Sequence, residues 1–188
     1  INQNNMKKLI YVFFLAFLMY SNSYSQFPDE YPFKTLLDED NNLLVTGYNA
    51  NNDVFVTKYP SNGNFLWTNF YANPGKDKGL DIIEYFDNST SNQYVYATGY
   101  VYNPISNCND IVLIKFDGLS GDIIWTRKYS DGRDSKALGI AMDNYDNIYV
   151  TGYVTEKYTQ KTDVVTIKFN SSGDIVWTNI FTNQDMIL

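Results

Sequence analysis

The chain has 188 residues, of which 44% are hydrophobic, 17% aromatic and 19% charged, a composition that folds rather than one typical of disorder. It contains no His and one Cys, which excludes a His-based catalytic triad, a His-ligated metal site and an intramolecular disulfide framework. With 14 basic and 21 acidic residues the net charge is -7, so no nucleic-acid partner is expected.

Residues 1–25 have the pattern of a secretory signal peptide preceded by a few extra residues. Lys7 and Lys8 form a basic n-region, and the uncharged apolar run over 9–20 follows it. As a helix this run spans only about 18 Å, which is too short for a bilayer core of about 30 Å. We therefore predict cleavage after Ser25, export to the cell surface or the medium, and no membrane span in the mature chain.

The mature chain, residues 26–188, contains three copies of a repeat of just over fifty residues. Thr-Gly pairs recur at 46–47, 98–99 and 151–152. Each pair is followed by a segment that begins with Asp and ends in Lys-Tyr or Lys-Phe, and then by a segment that contains Trp-Thr. The blocks are rich in β-branched and aromatic residues and are separated by Gly- and Asn-containing turns, so each predicts a β-strand.

A further strand completes each repeat and gives four strands per unit. These strands are predicted before the Thr-Gly pairs, over 33–37, 80–85 and 138–142. The resulting blades cover about residues 32–72, 79–130 and 137–182. The segment 111–114 is apolar on both faces, which favours sheets covered on both sides, as in a β-propeller, over a two-layer sandwich. We predict an all-β chain, a partial propeller of about three four-stranded antiparallel blades.

The third repeat has the most regular pattern. It reads Gly-Ile-Ala-Met-Asp over 139–143, Asp-Asn-Ile-Tyr-Val-Thr-Gly-Tyr over 146–153, and Asp-Val-Val-Thr-Ile-Lys-Phe-Asn-Ser-Ser-Gly-Asp-Ile-Val-Trp over 163–177. With these residues it resembles the SBBP repeat, a bacterial seven-bladed β-propeller repeat, and the resemblance extends over about 33–182. It implies a secreted or surface-exposed propeller. It implies no activity and supplies no catalytic residues.

A second resemblance concerns residues 115–125, which read Lys-Phe-Asp-Gly-Leu-Ser-Gly-Asp-Ile-Ile-Trp. They are similar to the Trp-containing repeat of quinoprotein dehydrogenases, which hold a quinone and usually a calcium ion. Many propeller repeats need a turn glycine and a buried Trp for packing alone, so no cofactor is expected. We predict a non-catalytic scaffold for a protein or glycan ligand, not an enzyme. The alternative is part of a quinoprotein-like or glycan-active propeller enzyme whose site is completed by further blades.

Residues that recur in every repeat are expected to serve the fold. The repeated charged residues are Asp53, Asp110 and Asp163 with Lys58, Lys115 and Lys168. We expect the aspartates to cap turns or pair with a neighbouring blade, and the lysines to face solvent or the next blade. Trp67, Trp125 and Trp177 could stack a carbohydrate, but their strict repetition favours packing between blades. On that basis Trp177→Ala is expected to cost about 3–5 kcal/mol.

Two other residue patterns are expected to carry no site. Asp38, Asp40 and Asn42 have the alternate spacing of a calcium loop, but Leu and Asn occupy the Gly and Glu positions of that loop. An Asx-rich turn is therefore expected. Cys108 lies in a predicted loop without a His or a second Cys, so no nucleophilic role is expected.

The loops that differ between repeats are the better candidates for ligand binding. In a four-stranded antiparallel blade they lie at one end of the sheet, where propeller ligands usually bind. They cover 49–52, 102–109 and 155–162 within blades, and 73–78 and 131–136 between blades. The charged residues to mutate first are Asp77, Lys78, Arg133 and Asp134.

Three blades do not close a ring, because propellers have about four to eight. They leave two apolar lateral faces that exceed what soluble monomers usually expose. We expect truncation of a longer gene, and residues 1–5, which look like translated upstream sequence, agree with this. The alternative is self-association, in which two chains form one six-bladed ring.

Overall fold

The computed structural model describes residues 30–87 and 89–182, and the predicted signal peptide lies outside this part of the chain. The described residues form twelve β-strands and no helix. The strands are β1 Glu30–Leu37, β2 Leu43–Asn49, β3 Val54–Tyr59, β4 Trp67–Tyr71, β5 Lys78–Asp87, β6 Asn92–Asn103, β7 Cys108–Asp117, β8 Ile123–Tyr129, β9 Asp134–Met142, β10 Ile148–Thr155, β11 Thr162–Phe169 and β12 Ile175–Phe181.

The strands form three four-stranded antiparallel sheets, and consecutive strands are neighbours in each: β1 to β4, β5 to β8 and β9 to β12. The pairing register is the same in all three. The threonines of the Thr-Gly pairs, Thr46, Thr98 and Thr151, lie opposite Val56, Leu113 and Thr166, which are equivalent residues of the next strand. The prediction of an all-β chain with three four-stranded antiparallel units is confirmed.

The glycine of the Thr-Gly pair is required by a bulge in the first strand of each sheet. The register of β5 against β6 shifts between Gly79 and Asp81, and the other first strands shift at the equivalent place. The bulge brings the first strand close to the second strand, so that a Cβ added at Gly99 would lie 1.9 Å from the carbonyl oxygen of Lys78. A Cβ at Gly47 or Gly152 would lie 2.0 Å from the equivalent carbonyl oxygen. No other residue fits this close approach, which accounts for the recurrence of the pair.

Each sheet packs face to face on the next one. The first strand of the second sheet, β5, contacts β1, β2 and β3, and β9 contacts β5, β6 and β7 in the same way. The two interfaces are filled by separate apolar clusters. Along β7, Val112 and Ile114 belong to the cluster with the first sheet, whereas Ile111 and Leu113 belong to the cluster with the third. Both faces of the middle sheet are thus covered, which explains why β7 is apolar on both faces. The sequence predicted this arrangement.

A tryptophan and a glycine turn join the first and second sheets. Trp67 of β4 lies against the turn between β7 and β8, where a Cβ added at Gly121 would be 2.5 Å from the indole ring. The indole nitrogen donates to the carbonyl oxygen of Gly118 at 3.3 Å, and the amide of Asn69 donates to the carbonyl oxygen of Gly121 at 2.9 Å. We call this arrangement the tryptophan–turn contact.

The second and third sheets repeat the tryptophan–turn contact. A Cβ added at Gly173, in the turn between β11 and β12, would lie 3.1 Å from the Trp125 ring. Arg127 takes the place of Asn69 and donates from Nε to the carbonyl oxygen of Gly173 at 3.1 Å. The three tryptophans thus sit at equivalent places, and two of them pack against the following sheet.

The third tryptophan does not pack between sheets, and this corrects the sequence-based expectation. Trp177 is 41% exposed, whereas Trp67 is 7% exposed. The reason is that no sheet of the described residues follows the third one, so the face that carries Trp177 is open. Val164 on the same face is 50% exposed, although its equivalents Val54 and Ile111 are buried.

Lys58 anchors the first interface with a buried charge. Its Nζ lies 2.9 Å from Asp38 Oδ2, and it donates to Gln93 Oε1 at 2.8 Å and to the carbonyl oxygen of Gly118 at 3.1 Å. Lys58 therefore points toward the next sheet rather than toward solvent. Its partner is Asp38, at the end of β1, rather than the repeated Asp53.

The exposure difference between two tryptophans predicts different costs for the same substitution. Trp67→Ala should lower the free energy of unfolding by about 3–5 kcal/mol, because it removes a buried ring and its hydrogen bond. Trp177→Ala should lower it by about 1 kcal/mol or less, because the residue is already 41% exposed and no sheet of the described residues covers it. Urea unfolding at low protein concentration measures both values. Equal losses for the two variants would contradict this assignment.

Candidate functional site

The loops that vary between repeats lie together at one end of the sheets. In an antiparallel meander, the connection from the second to the third strand and the connection to the next sheet leave at the same end. Hydrogen bonds join these connections across the sheets. The backbone nitrogen of Asp77 donates to the carbonyl oxygen of Asn52 at 2.8 Å, and Asn73 Nδ2 donates to the carbonyl oxygen of Tyr102 at 2.7 Å. We call this end the loop end.

A cleft of about 420 Å³ opens at the loop end. It is lined by Gly75, Lys76, Tyr100, Tyr102, Asn109 and Lys136. These residues come from the loop between the first two sheets, from β6 and β7, and from the start of β9, so all three sheets position the cleft. Three of the variable loops predicted from the sequence contribute lining residues.

The two tyrosines are held in place by their neighbours. Tyr100 and Tyr102 are two residues apart on β6, so their side chains leave the same face of the strand. Gly75 has a φ of +125°, and a Cβ there would lie 2.5 Å from Tyr102, so only glycine lets the loop approach this ring. The Lys136 Nζ lies 4.9 Å from the centre of the Tyr100 ring, a cation–π contact.

The two lysines of the cleft differ in how they are engaged. Lys136 pairs with Asp134 at 3.7 Å in addition to its contact with Tyr100. Lys76 is exposed, and no ion pair involves it within the described residues. Burial raises the pKa of the Tyr100 phenol, which is therefore a neutral hydrogen-bonding group at physiological pH. The cleft thus offers aromatic faces, the exposed ammonium group of Lys76 and the amide of Asn109.

The four charged residues chosen from the sequence are not among the residues that line the cleft. Asp77 is fully buried, and its Oδ1 accepts the backbone N–H of Tyr102 at 2.9 Å. Lys78 lies over the ring of Tyr48 at 4.1 Å, between the first and second sheets. Asp77 therefore holds a lining residue of the cleft in place, whereas Lys78 contacts the first sheet.

Arg133 and Asp134 also have internal partners. The Arg133 Nε donates to Asp131 at 2.9 Å, and its Nη1 lies 3.7 Å from Asp163. Asp134 Oδ1 accepts both the backbone N–H of Asn109 at 2.9 Å and the side-chain amide of Asn109 at 2.7 Å. The second of these contacts orients a lining residue of the cleft.

The repeated aspartates have structural partners, as expected. Asp110 accepts the side-chain amide of Asn103 at 2.8 Å, and Asp53 accepts that of Asn49 at 3.3 Å. Asp163 pairs with Arg133 instead. Each closes the connection between the second and third strands of its sheet or the adjacent loop, so none of them converges on a common ligand.

The turn that resembled a calcium loop is an Asx-rich turn. Asp38 Oδ1 accepts the backbone N–H of Asn42 at 2.6 Å, and Asp38 Oδ2 accepts the Asn42 side chain at 2.8 Å. Cys108 is the first residue of β7 rather than part of a loop, and it is buried with its Sγ 3.7 Å from the carbonyl oxygen of Gly132. Both Asp38 and Cys108 are buried.

A second, smaller cleft of about 340 Å³ lies at the opposite end of the first two sheets, beside Asp38, Glu39 and Glu84. Glu84 accepts hydrogen bonds from the backbone of Glu39 and from the side chain of Gln93. Burial raises the pKa of the Glu84 carboxyl. Glu39 and Glu84 of this cleft thus form a contact between the first two sheets. The cleft at the loop end is therefore the better candidate for a ligand site.

In residues 30–87 and 89–182, no group of three or more His, Cys, Asp or Glu side chains is placed to hold a metal ion. Likewise, none of these residues forms a helix with the length and apolar character needed to cross a bilayer.

Neither the protein-family models nor the curated proteins contain a match to this chain.

Burial of Asp77 predicts a measurable pH dependence of stability. Burial raises the pKa of this carboxyl above its usual value of 3.8 and outweighs the hydrogen bond from Tyr102, which lowers the pKa. The folded state therefore binds the proton more tightly than the unfolded state. It follows that the contribution of Asp77 to stability falls as the pH rises from about 3.8 through the folded-state pKa.

Asp77→Asn removes this titration and keeps an oxygen that accepts the Tyr102 N–H. We expect the stability of the variant, relative to the parent, to increase as the pH rises from 3 to 7 in urea unfolding. Asp77→Ala serves as the control, because it also loses the hydrogen-bond acceptor and should be less stable than the Asn variant. A pH-independent difference between the parent and Asp77→Asn would show that the carboxyl is not perturbed by burial.

Proposed function

We propose that the chain is an exported β-propeller repeat module that binds a ligand at its loop end. The propeller assignment is supported by the way each sheet packs on the next with equivalent faces and by the contacts among the first strands β1, β5 and β9. The resemblance of residues 33–182 to SBBP repeats supports the same assignment. Export is supported by the signal-peptide pattern of residues 1–25.

A binding role agrees with the fact that most charged groups around the cleft have partners within the protein. Asp77, Asp134 and Arg133 are engaged in hydrogen bonds or ion pairs that hold the loops. A general acid or base must instead reach a substrate proton directly. The groups that remain accessible in the cleft are suited to recognition, and we therefore propose a non-catalytic scaffold.

We propose a glycan as the ligand. The observation that carries this proposal is the convergence of Tyr100, Tyr102, Lys76 and Asn109 on one open cleft. Aromatic rings provide flat apolar surfaces with a polar edge, and sugar rings have apolar C–H faces that match them. The ammonium group of Lys76 and the amide of Asn109 offer hydrogen-bonding groups for sugar hydroxyls.

A glycan array probed with the full chain, followed by calorimetric titration of the best glycan, tests this proposal. Tyr102→Ala should weaken binding about tenfold or more, because a central aromatic anchor commonly contributes over 1 kcal/mol. Lys76→Ala should also weaken it, by a smaller factor. Tyr158→Ala is the matched control, because Tyr158 lies in the variable loop of the third sheet and outside the cleft.

Two results would count against the proposal. One is the absence of glycan binding on the array. The other is binding that Tyr158→Ala weakens as much as Tyr102→Ala does while circular dichroism shows both variants folded. In the second case the ligand would bind elsewhere on the loop end.

A further inference from the structure

In residues 30–87 and 89–182, no sheet covers the face of the third sheet that is equivalent to the joining faces of the first two. On the first two sheets this face carries Trp67 or Trp125 and is covered by the following sheet. On the third sheet the equivalent residues are exposed. They are Val164, Trp177, Asn179 and Phe181. Trp177 keeps the aromatic contact that Trp125 makes within its own sheet, since its ring lies 6.1 Å from that of Tyr149, as Trp125 lies 5.9 Å from Tyr96.

The two occupied faces show what this surface accepts. Each receives the turn between the third and fourth strands of the next sheet, with a glycine of positive φ beneath the tryptophan. The residue two positions after the tryptophan donates a hydrogen bond to the carbonyl oxygen of that glycine, Asn69 to Gly121 and Arg127 to Gly173. Asn179 holds the same position on the third sheet and has the same side chain as Asn69.

The first sheet carries the turn that would complete this contact. Gly63, between β3 and β4, has a φ of 79°, compared with 79° at Gly121 and 82° at Gly173. Its backbone nitrogen donates to the carbonyl oxygen of Pro60 at 2.9 Å, and Gly173 makes the equivalent bond to Asn170 at 2.9 Å. The turn has the same length and hydrogen bond as the turn of the third sheet.

The turn of the first sheet is also accessible. Asn62 and Asn64 are exposed and Gly63 is half-buried. In the same sheet, Val45 of β2 is half-buried, whereas Phe55 in the middle of β3 is buried. Because the middle of the sheet is already covered, a contact to the first sheet is centred on the turn and on the residues beside it.

We propose that the third sheet of one copy of this chain binds the first sheet of a second copy. In this contact Trp177 covers Gly63 of the other copy, and Asn179 donates to the Gly63 carbonyl oxygen. The two surfaces are different, so the contact is head to tail and leaves each copy with one further surface to fill. Two copies that fill both surfaces close a ring of six sheets. The inference rests only on the contacts between sheets and is independent of the ligand at the loop end.

Two variants test the two halves of the contact. Trp177→Lys replaces the ring with a charge. Gly63→Asn keeps a residue type that tolerates positive φ but adds a side chain where the ring must lie. Tyr158→Lys is the control, because it makes a similar change on the same sheet at a loop residue that is 93% exposed. Sedimentation velocity on the full chain at about 100 µM detects association with micromolar dissociation constants.

We expect the parent and Tyr158→Lys to associate, with a mass that is a multiple of the 21.7 kDa chain. Trp177→Lys and Gly63→Asn should each weaken association about 30-fold or more, the effect expected of a central tryptophan. A mixture of the two variants should regain association, because the intact third sheet of one binds the intact turn of the other.

The mixing result separates this contact from other modes of association. A parent that stays monomeric contradicts the second copy as the partner. Association that persists in both variants, or that is lost in both and not regained on mixing while circular dichroism shows folded protein, also overturns the proposal.

Discussion

The contact between a tryptophan of one sheet and a glycine turn of the next is the interaction on which this structure depends. A single four-stranded sheet has two apolar faces here and cannot bury either one alone. Trp67 and Trp125 fill the outer part of the two interfaces, and Gly121 and Gly173 leave room for the rings. Because the hydrogen bonds from Asn69 and Arg127 fix the register, the sheets stack in one relative position rather than by apolar contact alone. The buried Lys58 adds a further directional contact to the first interface.

The same arrangement places the loop end. Since every sheet repeats the register of the others, the connections that vary in sequence all leave at one end. The charged residues there mostly hold the loops to one another. The cleft between them is lined by two tyrosines and by Lys76, which takes part in no ion pair among the described residues. A rigid stack with a variable end is a suitable scaffold for recognition, which is the basis of the proposed function.

The sequence predicted the strands of the repeats well because they are rich in β-branched and aromatic residues and are separated by turn residues. It placed the starts of β5 and β9 too late, at Leu80 and Leu138 instead of Lys78 and Asp134. The missed residues are polar, and a bulge interrupts the alternation there, so no local pattern marks them as strand. The sequence also could not show why each Thr-Gly pair needs its glycine, because the close contact comes from the backbone of a different strand.

The sequence indicated three of the loops that line the candidate cleft but not the individual lining residues. Charge alone suggested Asp77 and Arg133, and both proved to be internal supports. Tyr100 was missed because it lies within a strand. Tyr102 falls inside the predicted loop 102–109 but was not singled out, although its spacing of two residues from Tyr100 places both side chains on one face. The exposure of Trp177 could not be derived from repetition, since equivalent residues differ in burial only through what lies beside their sheet.

The most direct test of the stacking is the solvent accessibility of each tryptophan in turn. Three variants that each retain one tryptophan, with Phe at the other two positions, can be compared by acrylamide quenching of fluorescence in dilute solution. The account predicts that quenching increases from Trp67 through Trp125 to Trp177, following their exposure. If the emission of Trp67 were quenched as readily as that of Trp177, the second sheet would not cover Trp67 of the first sheet.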